Sequence, residues 1–179
     1  MTRYAALLRA VNLGSHGKMS MRDLREIVSG LGHTDVATYI QSGNVLFDTP
    51  QKSPAKIESA LEDALLEQAG LDTTVMVRTA KDLKQIVSHN PFGHKNLAPT
   101  KLVVVFLKTK PKRQGELDVS NYGPEELIIE GRELFVHYPN GQGRSKLTNA
   151  VVAREVGVPG TARNWNTVNK LVELSERPT

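Results

Sequence analysis

The chain has 179 residues, 39% of them hydrophobic, and its 23 Lys and Arg exceed its 19 Asp and Glu to give a formal net charge of +4, the balance of a globular protein that can bury a core rather than of a disordered one. It has no cysteine, which excludes disulfide frameworks, thiolate zinc sites and cysteine nucleophiles. No run approaches the roughly 20 apolar residues of a membrane helix, and Arg9 interrupts MTRYAALLRAVNLG too early for a secretory leader, so a cytoplasmic protein with no membrane partner is expected.

In chain order, Arg3 to Val11 (RYAALLRAV) reads as a buried strand, and the loop NLGSHGKM leads to Ser20. Ser20 with Asp23 resembles a capping box, and Met21, Leu24, Ile27, Val28 and Leu31 follow at helical spacing until Gly30 and Gly32. Val36 to Gln41 and Asn44 to Asp48 predict two strands of a hairpin turned at Ser42-Gly43. Ser53 caps a helix that has Pro54 in its first position and an apolar stripe of Ile57, Leu61, Ala64 and Leu65. Gly70 stops it, and Thr73 to Arg78 is the next strand. The order βαββαβ is that of the ferredoxin-like split motif.

Thr79 with Asp82 caps a short helix, and HNPFGHKNLAPT is an irregular loop. Leu102 to Leu107 (LVVVFL) is a buried strand, and Leu127 to Glu130 with Glu133 to Tyr138 forms a hairpin about Gly131-Arg132. Two helices are expected at the end, one opening at Ser145 and one after Asn164. The expectation is therefore α+β: a ferredoxin-like βαββαβ subdomain over residues 1–80, packed with a second, smaller α+β subdomain over 81–179 that ends in two helices.

The charge excess lies in the second half. Residues 1–90 carry ten Lys and Arg against ten Asp and Glu, whereas residues 91–179 carry thirteen against nine. That surplus favours an anionic partner without announcing a nucleic-acid binder. The clearest candidate segment is NGQGRSKL at 140–147, where two glycines free the backbone, Ser145 opens a helix, and Arg144 and Lys146 add charge. A hairpin exit followed by a serine-capped helix accounts for the same residues without a ligand. The GxxxxGK[ST] spacing is absent, so ATPase chemistry is not implied.

In TARNWNTVNKL (161–171), Trp165, Val168, Leu171 and Val172 share a helix face, which makes Trp165 a core anchor, and Asn164 is a good N-cap. Arg163 and Asn166 are less well explained. A cation at a helix start opposes the macrodipole unless an anion, or an acid such as Glu155, answers it. Arg9, Asn12 and Lys18 around the first loop, and Gln41, Ser42 and Asn44 at the hairpin tip, complete a candidate anion-binding set with Arg144, Ser145, Lys146, Arg163 and Asn166. The amides and hydroxyls of the hairpin tip serve turn backbone equally well. The five histidines are scattered, so no metal site is read, and no GxSxG, HExxH or GxGxxG pattern names a reaction or a cofactor.

The segments ALLRAVNLG, MRDLREIVSGLG, TYIQSGNVLF, NPFG, GQGRSKL and RNWNTVNKL, in this order, resemble the bacterial domain of unknown function 1697 family over about Tyr4 to Leu174. That resemblance implies an α+β fold with ferredoxin-like subdomains and no mechanism. Ser15 and His16 stand where the family pattern has glycine or another small or polar residue. Three readings stand together: a module binding a small anionic, phosphate- or nucleotide-like ligand between its subdomains, a nucleic-acid binder using the basic C-terminal half, and a protein-interaction module without ligand. An RNA-recognition reading lacks the aromatic strand core it needs. The sequence assigns neither a cofactor nor an oligomeric state.

Overall fold

The computed structural model describes residues 1–9, 19–40 and 43–176. The chain divides into two compact units, Met1–Leu83 with the stretch from Leu171 on, and Lys84–Lys170. Each holds an antiparallel sheet, so the α+β class expected from the sequence is the class observed. Among the described residues no helix is long and apolar enough to cross a membrane.

The first unit runs β1 (Thr2–Leu8), α1 (Met21–Gly30), β2 (Thr34–Tyr39), β3 (Asn44–Thr49), α2 (Pro54–Ala69) and β4 (Val75–Thr79). The strand order is β2-β3-β1-β4, every pair antiparallel. β3 thus lies between the two strands joined through α1, and β1 between the two joined through α2. Both βαβ arms are split. One sheet face carries Tyr4, Ala6, Leu8, Val45, Phe47, Val75 and Val77, which meet Leu24, Ile27 and Val28 of α1 and Ile57, Leu61 and Leu65 of α2. Complete burial of each Val, Leu, Ile or Phe among them stabilises by about 1.5–3 kcal/mol.

Local signals set the helix ends. Ser20 Oγ accepts from Asp23 N while Asp23 accepts from Ser20 N, the reciprocal box expected from the sequence. Ser53 caps α2 ahead of Pro54, and Gly70, at φ +63°, ends it in the left-handed conformation. At the sheet edge, Glu58 and Glu62 of α2 accept from the N–H groups of Val77 and Val75 of β4, so α2 completes the backbone pairing of that strand. The first strand expected from the sequence is shorter than read: β1 ends at Leu8, Arg9 is a bend, and Ala10 and Val11 lie outside the described residues.

α3 (Ala80–Ser88) opens with Thr79 and Asp82 bonded reciprocally. The second unit then contains β5 (Leu102–Leu107), β6 (Gly115–Leu117), β7 (Glu126–Glu130), β8 (Glu133–His137), α4 (Asn149–Val156), β9 (Gly160–Asn164) and the start of α5 (Trp165–Ser175). Its sheet order is β6-β7-β8-β5-β9. Val103, Val105, Leu107, Leu127, Ile129, Leu134 and Val136 form one face and pack with Tyr138, Leu147 and Val152.

Three expectations for this half are corrected. Ser145 does not open a helix. α4 begins at Asn149 with Thr148 as its cap, because the Ser145 hydroxyl is bonded elsewhere and the Leu147 side chain is buried. The helix expected after Asn164 is α5, but Arg163, expected at that helix start, lies in the edge strand β9, paired with β5. Trp165 itself is half-buried, while Val168 and Leu171 are the buried members of its face.

Candidate functional site

The loop from Pro139 to Thr148 joins β8 to α4 and is held at several points. Tyr138 N donates to Lys101 O at 2.8 Å, Gly141 N to Tyr138 O at 3.0 Å, and Ser145 N to Gln142 O at 3.1 Å. Gly141 sits at φ +82°, which glycine adopts without strain. The Tyr138 hydroxyl donates to Leu147 O at 2.9 Å, and the Lys101 ammonium to Pro139 O at 2.8 Å. The loop is therefore a fixed structure, tied at its entrance and its exit.

Its chemistry is basic outside and acidic beneath. Arg144 and Lys146 are exposed and make no hydrogen bond or ion pair among the described residues. The backbone N–H groups of Gly143, Arg144 and Lys146 are likewise unbonded among them. Below, the Ser145 hydroxyl donates to Glu125 Oε1 at 2.7 Å and accepts from Leu147 N at 3.0 Å. Glu125 is 8% exposed, and its Oε2 is buried without a partner among the described residues. Burial, and then the Glu125 charge, push the Tyr138 phenol up to about 12.

Arg163 stands apart. Across β5 and β9, Ala162 pairs with Val105 and Arg163 with Val104. Val105 and Ala162 belong to the cluster that contains Leu147, so by strand alternation Arg163 points to the opposite sheet face. It is buried, donating to Thr161 Oγ1 at 2.6 Å and to Ala162 O at 2.9 Å, and burial pushes its guanidinium down to about 10. The acid expected to answer it, Glu155, accepts from the Tyr122 hydroxyl at 2.7 Å. Asn166 is exposed on α5, where Asn164 Oδ1 accepts from Thr167 N at 2.9 Å as the cap.

In the first unit, Arg9 is exposed at the end of β1, its backbone bonded to Thr73 and Thr74, and its guanidinium makes no bond among the described residues. Asn44 is buried, donating to Tyr39 O at 3.1 Å across the hairpin. Asn12, Lys18, Gln41 and Ser42 lie outside the described residues. A groove of about 680 Å³ between α1 and β2 includes Arg22, Arg25, Glu26, His33 and Asp35 in its wall. Its charges are largely answered: Arg22 by Glu26, Asp35 by Arg3, and Arg25 by the Thr38 hydroxyl. Among the described residues no three His, Asp or Glu could hold a metal ion.

Sequence reasoning misses Lys101 and Tyr138 as parts of this loop and takes the Glu125-Glu126 pair for a solvated face, whereas Glu125 is buried. Lys101 and Glu125 reach the loop from chain-distant positions and Tyr138 through its hydroxyl's bond across the loop to Leu147, contacts that no local pattern announces.

A family model described as Protein of unknown function (DUF1697) matches residues 1–135; GQGRSKL and RNWNTVNKL lie beyond the matched residues. No curated protein matches the chain. A solved structure, that of conserved bacterial protein SP0830 from Streptococcus pneumoniae, is similar with 22% identity and a TM-score of 0.68, covering 98% of this chain and 99% of that one. A likeness at that identity shows the fold alone.

Proposed function

The chain belongs to the DUF1697 family of proteins of unknown function, and from that premise we propose that it binds a small oxyanion, a phosphate or a phosphate-bearing metabolite, on the loop from Pro139 to Thr148. One observation carries the reading: Arg144 and Lys146 are exposed and unpaired among the described residues, on a tied loop that also offers unbonded backbone N–H groups. Lys101, at the loop entrance, adds a third cation. Charge-assisted bonds of this kind are each worth about 1.5–3 kcal/mol. The surrounding unit supports it: Lys84–Lys170 has thirteen Lys and Arg against seven Asp and Glu, a net of +6. The proposal includes the cytoplasmic setting expected from the sequence.

Arg9 is a second exposed cation for such a ligand, whereas the Asn44 amide and the Ser145 hydroxyl are already engaged. The same +6 favours a nucleic-acid partner as the second reading, which predicts a steep loss of affinity with salt.

Calorimetric titration with inorganic phosphate, pyrophosphate and nucleotides tests it. The reading expects saturable binding of at least one oxyanion, weakened about tenfold or more per removed contact in Arg144→Ala and Lys146→Ala. Absence of binding by any oxyanion, or equal binding by both variants, overturns it.

A further inference from the structure

Glu125 is an odd neighbour for an anion loop. It is 8% exposed, it receives the Ser145 hydroxyl at 2.7 Å on one oxygen, and its other oxygen has no partner among the described residues. Buried carboxylates that are stable in proteins are ordinarily paired or fully hydrogen-bonded. The backbone makes room for this one: a Cβ on Gly123 would lie 2.5 Å from Glu125 Oε2, and Gly123 is at φ +148°. The carboxylate is thus seated against a glycine on one side and latched by Ser145 on the other. Ser145, whose hydroxyl holds this carboxylate, stands between Arg144 and Lys146 in the chain.

We infer that Glu125 is an intramolecular competitor that sets which anions the loop accepts, an inference that rests on the oxyanion reading of the loop. It occupies the Ser145 hydroxyl that an oxyanion would otherwise take. It also subtracts one charge from Lys101, Arg144 and Lys146, leaving a net of two positive charges. That balance matches a dianion, such as a phosphomonoester, and discounts ligands of higher charge. Glu125 is buried while the cations are exposed, so its charge acts on the loop at an effective dielectric of about 20 rather than that of bulk water. Glu125 is a specificity residue here, not a catalytic one.

Glu125→Gln is nearly isosteric and keeps an acceptor for Ser145, while Glu125→Leu removes the charge and releases the Ser145 hydroxyl. Both are titrated against inorganic phosphate and tripolyphosphate beside the parent protein, with circular dichroism confirming the fold. The expected result is tighter binding of both probes in the variants, about tenfold for phosphate and more for tripolyphosphate, so that the preference shifts toward the higher charge. Unchanged affinity and unchanged preference in a folded variant, with the parent binding phosphate, overturns the role of Glu125 alone. Binding absent from parent and variants alike overturns the oxyanion reading beneath it. If one variant fails to fold, the other decides by the same two ratios.

Discussion

The Tyr138 hydroxyl donates to the Leu147 carbonyl at 2.9 Å, closing the loop that carries Arg144, Ser145 and Lys146 across its own base. Both residues are buried, Tyr138 at 1% and Leu147 at 0% exposure. The bond therefore replaces solvent for both partners, and removing one strands the other. Tyr138→Phe should destabilise the protein by about 1–3 kcal/mol, the cost of a buried carbonyl left unsatisfied. Chemical denaturation of the two proteins measures it.

The same phenol sets a pH dependence at the alkaline end. Its folded pKa, about 12, lies above its ordinary value of 10.0. The unfolded chain thus loses this proton first as pH rises, and the folded state holds more protons between the two values. Stability attributable to Tyr138 is present below pH 10 and falls as pH rises from 10 toward 12. The difference in denaturation midpoint between the parent and Tyr138→Phe should shrink over that window. A constant difference contradicts the assignment.

His33 acts at the opposite end. Its ring stacks on Phe47 with centroids 4.4 Å apart, and its Nε2 is buried with no partner among the described residues. Burial pushes the imidazole below its ordinary 6.5. As pH falls the unfolded chain binds this proton first, so stability is full above about 6.5 and is lost on the way down to the folded pKa. Proton NMR should show the His33 ring titrating below 6.5, and His33→Leu should remove this part of the acid destabilisation. A His33 that titrates at or above 6.5 contradicts it.

Asn164 caps α5 through Thr167 N at 2.9 Å. Asn164→Ala should cost about 1 kcal/mol, a fall of roughly 2–4 °C in melting temperature at this chain length, and Asn164→Asp should recover most of it. Calorimetric melting of the three proteins checks the order.

Gly160 begins β9 with no room for a side chain. A Cβ there would lie 2.8 Å from Phe106 O and 2.9 Å from Leu107 Cδ2 and Val105 Cγ1. Gly160→Ala must push β9 off β5, and a loss of about 1–3 kcal/mol is expected from such overpacking. Wild-type stability in that variant contradicts the close approach.

These residues also show what was legible in the sequence. Ser20 with Asp23, Ser53 with Lys56, Thr79 with Asp82, and Asn164 with Thr167 are contacts within three residues, so type and spacing suffice to read them. β6 and β9 were not read, because Gly-Glu-Leu and Gly-Thr-Ala-Arg-Asn lack an apolar alternation and exist as strands through pairing with Leu127–Ile129 and Val103–Leu107. Local spacing makes Ser145 a helix cap, but Glu125, twenty residues earlier, takes its hydroxyl. Arg144 and Lys146 were visible as charges between glycines and a helix. Lys101 was not, because its tie to Pro139 spans the β5–β8 pairing. Arg163 is unusual for a reason its local sequence does not carry: it is a strand residue buried by its sheet.

The oxyanion loop is the central claim, and backbone amide NMR tests it most directly. Inorganic phosphate is titrated into the isotopically labelled protein, and the amide signals of Gly143, Arg144 and Lys146 are followed. The account predicts saturable shifts concentrated at these amides and strongly reduced in Arg144→Ala/Lys146→Ala. Shifts centred elsewhere, or none at any of the three, contradict it.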